Sequence, residues 1–290
     1  MTPKTVVFIH GNFVNNRSWD GWVARYRSRG YNCLAIAYPG RDKSVPSLKA
    51  NPDAKLLGSL TLSQVADYHA TIIRSLDEQP IIIGHSFGGL LTQLMVQRGL
   101  AAAAVAIDSA PPQGVLVPSW SFFRSTWPVL NPFVSASRPY VMSFRHWQYT
   151  FTNGLPLAEQ QASYDAYMVP ESRRLSRSGL FSAARVNFKR PHAPLLIVGG
   201  EKDNILPASL SRAIYRRYTK SPSITEYKEF PGRTHYTVIG GKGWEEVADY
   251  ALDWATRVTS ERELHGTQGL AADKAGRLST REQPGAQARA

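Results

Sequence analysis

The chain has 290 residues, 43% hydrophobic and 11% aromatic, which supports a large core and excludes a disordered or fibrous protein. Its formal net charge of +12 gives a basic surface with at most a weak attraction to anionic surfaces or substrates, and part of the excess clusters at Arg173, Arg174, Arg177, Arg185, Lys189 and Arg190. No nucleic-acid motif surrounds that cluster, no window approaches the ~20 apolar residues of an integral membrane segment, and one cysteine, Cys33, permits neither an intrachain disulfide nor zinc spacing.

In chain order, Met1–Thr5 leads directly into an apolar strand over Val6–His10, too short for a signal core, so a cytoplasmic location is expected. A helix over Ser18–Arg29 places Trp19, Trp22, Val23 and Tyr26 at spacings of three and four. The next strand, Cys33–Tyr38, makes Cys33 a small buried hydrophobe. Leu62–Leu76 is an amphipathic helix, Ile81–Gly84 a strand, and Phe87–Arg98 a helix stopped by Gly99. A strand follows at Ala103–Asp108. After a long interruption come a strand at Leu195–Gly199, a helix at Pro207–Tyr218 with Pro in its first turn, a strand at Ile224–Phe230 and a helix at Trp244–Val258. Most of these strands are unbroken apolar runs, the pattern of strands covered on both faces. Alternation of strand and helix predicts a doubly wound, mainly parallel α/β sheet.

The interruption, Pro111 to Pro191, holds scattered prolines and many aromatics, among them Trp120, Phe122, Phe123, Trp127, Phe133, Trp147 and Phe151. It reads as a mostly helical cap over residues 111–190, with a core formed by 1–110 and 191–260. Most of its aromatics are expected to form the cap's own core, and a minority to line an apolar pocket. From 261 to 290 apolar periodicity is lost, and the segment reads as a flexible tail without a catalytic role.

Gly84-His85-Ser86-Phe87-Gly88 fits Gly-x-Ser-x-Gly, the pattern of a sharp strand-to-helix turn that exposes a nucleophilic serine. Small residues two positions either side let strand and helix approach without Cβ clashes. The context is right: the apolar run Ile81-Ile82-Ile83 precedes the motif, and Leu90, Leu91, Leu94 and Met95 mark the buried face of the helix after it. Such a serine needs a base, and the base needs an orienting carboxylate.

With His10-Gly11-Asn12 after the first strand and an acid and a histidine following the serine, the chain resembles serine hydrolases of the α/β-hydrolase superfamily over roughly Val6 to Val258. The resemblance implies the chain order Ser, acid, His. His235, in the loop after the last strand, is then the base. Asp203, at the end of a strand, is preferred as the acid over Asp108, with Glu201 a weaker third choice. The resemblance also assigns the oxyanion-binding N–H groups to Asn12 and Phe87, with His10 structural, and implies no cofactor or metal. His85 should point its side chain away from that of Ser86.

A serine at this place argues against dehalogenase and epoxide-hydrolase chemistry, whose relatives carry an aspartate there. The aromatic insertion favours a small to medium hydrophobic acyl or aryl ester as substrate. Lactonase, thioesterase and lysophospholipase activities use the same residues, and a ligand receptor without turnover is the alternative of another class. Fold alone does not choose among these.

Overall fold

The computed structural model describes residues 3–279, with side chains described through Glu261. Six strands form one sheet: β1 (Thr5–Ile9), β2 (Asn32–Ile36), β3 (Ile81–His85), β4 (Ala103–Ile107), β5 (Leu195–Gly200) and β6 (Thr225–Phe230). Their order is β2-β1-β3-β4-β5-β6 and every neighbouring pair is parallel. The chain reverses its direction of travel across the sheet between β1 and β3, the place where such sheets open a crevice beyond their carboxyl ends.

Strand residues alternate between two apolar layers. Val7, Ile9, Ile82, Ala104, Ala106 and Ile197 face one layer; Val6, Phe8, Ile83, Val105, Leu196 and Val198 face the other. The second layer is filled by α1 (Asp20–Ser28), through Trp22 and Tyr26, together with Trp19 just before it and the last helix. The first is filled by helices introduced by clear signals. After α2 (Val45–Ala50) and α3 (Ala54–Ser59) comes α4 (Leu62–Arg74), which begins with a capping box between Thr61 and Gln64. Next is α5 (Phe87–Gln97), buried on nearly every side because it lies between the sheet and the segment that follows β4. Gly99, with φ +71°, ends it as its sequence implies.

Between β4 and β5 lie α6 (Trp120–Leu130), α7 (Phe144–Thr150), α8 (Leu157–Tyr167) and α9 (Arg173–Ser178), the helical interruption expected there. Beyond β5, α10 (Ala208–Tyr218) starts one residue after Pro207, and α11 (Trp244–Ser279) closes the chain. The tail expected from 261 begins inside α11, and residues 280–290 lie outside the described residues.

Four features depart from expectation. Helices α2 and α3 are six residues each, too short to show a helical period. The outer strands β2 and β6 are only partly covered, so Cys33 is half-buried; burial still raises its thiol to about 11, which keeps it unreactive near neutrality. Of the aromatics in the interruption, Trp147 and Phe151 stack in the core, but Trp120, Phe123, Trp127 and Phe133 are exposed. Finally, half of the basic cluster has a structural task. Pro128 sits inside α6, and the carbonyls at that helix's end are taken up by arginines of α9. Arg173 donates to the Pro128 and Val129 carbonyls, Arg177 to those of Asn131 and Val134, and Arg174 to that of Gly58.

Candidate active site

Ser86 joins β3 to α5 with φ +60° and ψ −121°, a left-handed conformation that a serine adopts only under constraint. The constraint is visible around it. Ser86 N–H donates to the Ile107 carbonyl at 2.9 Å, and the Ser86 carbonyl accepts from Ala110 at 2.9 Å. A Cβ on Gly84 would lie 2.2 Å from the Gly88 carbonyl oxygen, and one on Gly88 2.1 Å from that of Ile9. These contacts give the physical reason for the glycines of the motif: helix and strands meet at backbone distance.

The loop after β1 lies against the serine. A Cβ on Gly11 would sit 2.7 Å from Ser86 Cβ, which puts Asn12 beside Ser86. Among the described residues, the backbone N–H groups of Asn12 and Phe87 have no intramolecular acceptor. The Phe87 N–H also opens α5, whose positive end faces the same point. The Asn12 side chain fixes the loop rather than facing the serine, donating to Ser176 Oγ on α9 at 3.0 Å.

The following residue, Phe13, has φ +68° and is held at both ends by the inserted segment. Its N–H donates to Glu171 Oε2 at 3.1 Å, and its carbonyl accepts from the Val169 N–H at 2.8 Å. Glu171 is itself held by the buried Arg41 at 2.6 Å and accepts from the Ser172 N–H. His10 is neutral and structural: its Nδ1–H donates to the Gly11 carbonyl, Nε2 accepts from the Tyr38 N–H, and burial lowers it to about 3.

His235, fully buried, donates from Nδ1 to Asp203 Oδ2 at 2.6 Å, while its Nε2 has no partner. Asp203 reaches it because the loop after β5 turns back on this carboxylate: Oδ1 accepts the N–H groups of Ile205 and Leu206 at 2.7 and 2.8 Å. Asp108 does not contact the imidazole by a hydrogen bond. It ends β4 with φ +39°, accepts the Gly200 N–H at 2.6 Å through Oδ1, and faces the Asp203 carboxyl. Burial, reinforced by the charge of Asp203, raises Asp108 well above the usual carboxylate range. Glu201 lies at the surface, where the Gly232 N–H and Lys202 hold it below its ordinary range.

Two partners of His235 were not read from sequence. The His85 ring lies 4.3 Å from the imidazole, buried and held neutral, and the Phe151 ring meets it edge-on at 4.8 Å. Alternation along β3 could have suggested the first; nothing in the sequence pairs Phe151 with the loop after β6. His85, Asp108 and His235 have ligand-type atoms within 4.8 Å of one another. His235 Nδ1 and Asp108 Oδ1 are committed to Asp203 and Gly200, while His235 Nε2, Asp108 Oδ2 and both His85 ring nitrogens have no hydrogen-bond partner.

Above Ser86 opens a cavity with about 650 Å³ of empty space, its mouth included. Leu90, Phe122, Val129, Leu130, Ile205 and Leu206 supply its apolar walls, Asn12, Ser125 and Thr126 its polar points, and among the described residues no charged side chain lines it.

The sequence matches the model of the alpha/beta hydrolase family over residues 6–250, and the chain belongs to that family. No curated protein matches it. Among solved structures it is similar to a pyrethroid hydrolase from Sphingobium faniae JZ-2, at 17% identity and TM-score 0.63 over 88% of this chain and 98% of that one. It is also similar to a monoacylglycerol lipase from Paleococcus ferrophilus, at 19% and 0.63 over 89% and 96%. A third likeness is to an extracellular α/β-hydrolase from a Paenibacillus species, at 21% and 0.65 over 87% and 99%; that protein is described as homologous in structure and function to tobacco salicylic acid binding protein 2. At these identities the likeness is one of fold. Among the described residues no helix is long and apolar enough to cross a membrane.

Proposed function

We propose that the protein is a serine hydrolase of carboxylic esters, with Ser86 as nucleophile, His235 as base and Asp203 as the acid that orients it. One observation carries this reading: a buried imidazole is held by Asp203 through Nδ1 at 2.6 Å, with Nε2 free, at the strand ends that carry the strained Ser86. Ser86 Oγ attacks the acyl carbonyl carbon while its proton passes to His235 Nε2. The tetrahedral oxyanion takes the Asn12 and Phe87 N–H groups, donors that need no reorganisation. Collapse expels the alcohol, which receives the proton from His235. Water, deprotonated by the same imidazole, then releases the acid from Ser86.

The uncharged cavity favours a neutral, small to medium hydrophobic acyl or aryl ester, with the inserted helices acting as a cap over it. It disfavours the headgroup recognition that a lysophospholipase needs. The test is turnover of p-nitrophenyl esters of increasing acyl length. Multiple turnover with a preference above acetyl is expected, and Ser86→Ala should lower kcat by about 10³-fold or more with the fold intact. Full activity in Ser86→Ala would refute the assignment. Slow single labelling of Ser86 without turnover would favour the receptor reading.

A further inference from the structure

Helix α6 has an inner and an outer face. The inner face supplies Phe122, Ser125, Thr126 and Val129 to the cavity over Ser86. The outer face carries Trp120, Phe123 and Trp127, which are 73%, 47% and 40% exposed. Their rings form a continuous ladder, with centroids 5.7 Å apart from Trp120 to Phe123 and 5.3 Å from Phe123 to Trp127. Leu116 before the helix and Phe133 after it are more exposed still, at 78% and 89%. So long an apolar stripe is more than scattered surface hydrophobes amount to.

The segment that carries the stripe has charge of one sign along its sequence. Between Asp108 and Glu159 the sequence contains no aspartate or glutamate, while Arg124, Arg138 and Arg145 fall in that stretch and are exposed. Arg124 lies on α6 itself, over the Tyr149 ring. Aromatic rings flanked by arginines, without acids, make up the side-chain set of a helix that lies in the headgroup layer of a membrane.

We propose that the outer face of α6 docks on an anionic lipid bilayer. A second copy of the chain is the poorer occupant: a two-fold contact through this face would bring Arg124 of α6 towards its own counterpart, with no acid from the same segment to meet it. Docking has a use that rests on the ester-hydrolase reading above. Leu180 lines the cavity and is 48% exposed, and its neighbour Phe181 is 63% exposed. Under the proposal, an apolar ester from the bilayer enters the cavity past these apolar side chains.

The test is co-sedimentation of the full chain with phosphatidylcholine vesicles made with and without phosphatidylglycerol, alongside tryptophan fluorescence. The expected result is binding to the anionic vesicles only, with a blue shift, weakened by added salt. Phe123→Glu and Trp120→Ser should each weaken binding about tenfold while leaving turnover of dissolved p-nitrophenyl acetate within about twofold of the parent. The proposal is overturned by absence of binding, by equal binding to neutral vesicles, by unchanged binding in both variants, or by a dimer that both variants dissociate. Vesicle binding by a chain that hydrolyses no p-nitrophenyl ester would instead sink the catalytic reading and leave the docking surface standing.

Discussion

Replacing Asp108 by asparagine and by alanine should give opposite results, and the reason lies in where one proton sits. Asp108 Oδ1 accepts the Gly200 N–H, while Oδ2 is fully buried, receives no donor and faces Asp203. Asp203 accepts three hydrogen bonds, from Ile205, Leu206 and His235. Two carboxyls in one dry site cannot both ionise, and the one with fewer donors keeps the proton. Asp108 is then a neutral acid that donates to Asp203. Asparagine copies that state: its oxygen accepts from Gly200 and its NH₂ donates to Asp203. Asp108→Asn should keep kcat within about threefold of the parent. Asp108→Ala strands the Gly200 N–H, at about 1–3 kcal/mol of stability, and leaves Asp203 without its support. Losing ~1.4 kcal/mol of that support is a tenfold fall in kcat, with KM little changed. Steady-state kinetics and chemical denaturation of both variants read these effects. Had Asp108 been the ionised partner of His235, asparagine would cost on the order of 10⁴ in kcat, as amide replacement of such an acid does. That loss, with activity retained in Asp203→Asn, would refute the reasoning.

Two further outcomes follow from backbone proximity and from buried imidazoles. Gly88→Ala must push α5 off β1, since the new methyl meets the Ile9 and His10 carbonyl oxygens at 2.1 and 2.6 Å; urea denaturation should show a loss of several kcal/mol, about 3 or more, with activity lost alongside. Acid should destabilise the fold between pH 6.5 and 4. Burial lowers His10 to about 3 and His69 to about 4, so in that window the unfolded chain binds more protons than the folded one. Each site contributes a penalty that is absent above about pH 6.5 and reaches roughly 2 kcal/mol at pH 5. A denaturation midpoint that stayed flat from pH 7 to 5 would contradict this.

Much of the sheet was legible because its inner strands are covered twice. Ile81-Ile82-Ile83 and Leu195-Leu196-Ile197 read as strands without alternation for that reason. The edges were less legible: Cys33 and Leu34 look apolar enough for a core, and only the strand order places them at the margin. Ser86 was readable because a backbone constraint had left glycines in the sequence. Asp203 and His235 carried no such mark, and their meeting depends on two loops whose partners lie 32 positions apart. The contacts of His85 and Phe151 with His235 were not legible because they run across the fold rather than along the chain. Composition alone did not show which arginines of α9 hold backbone carbonyls.

The clamp on Phe13 has a consequence for how substrate reaches the cavity. The stretch that holds Phe13 by both backbone groups, Val169 to Glu171, belongs to the same inserted segment that roofs the cavity, and Asn12 stands one residue away. If that segment swung clear as a rigid flap, it would drag the stretch off the loop, displacing Asn12, the oxyanion donor proposed above, and separating Arg41 from Glu171. If Asn12 is the oxyanion donor of the proposed mechanism, opening of that segment and oxyanion binding exclude one another. Leu180, half-exposed, lines the same cavity outside the Val169–Glu171 strap.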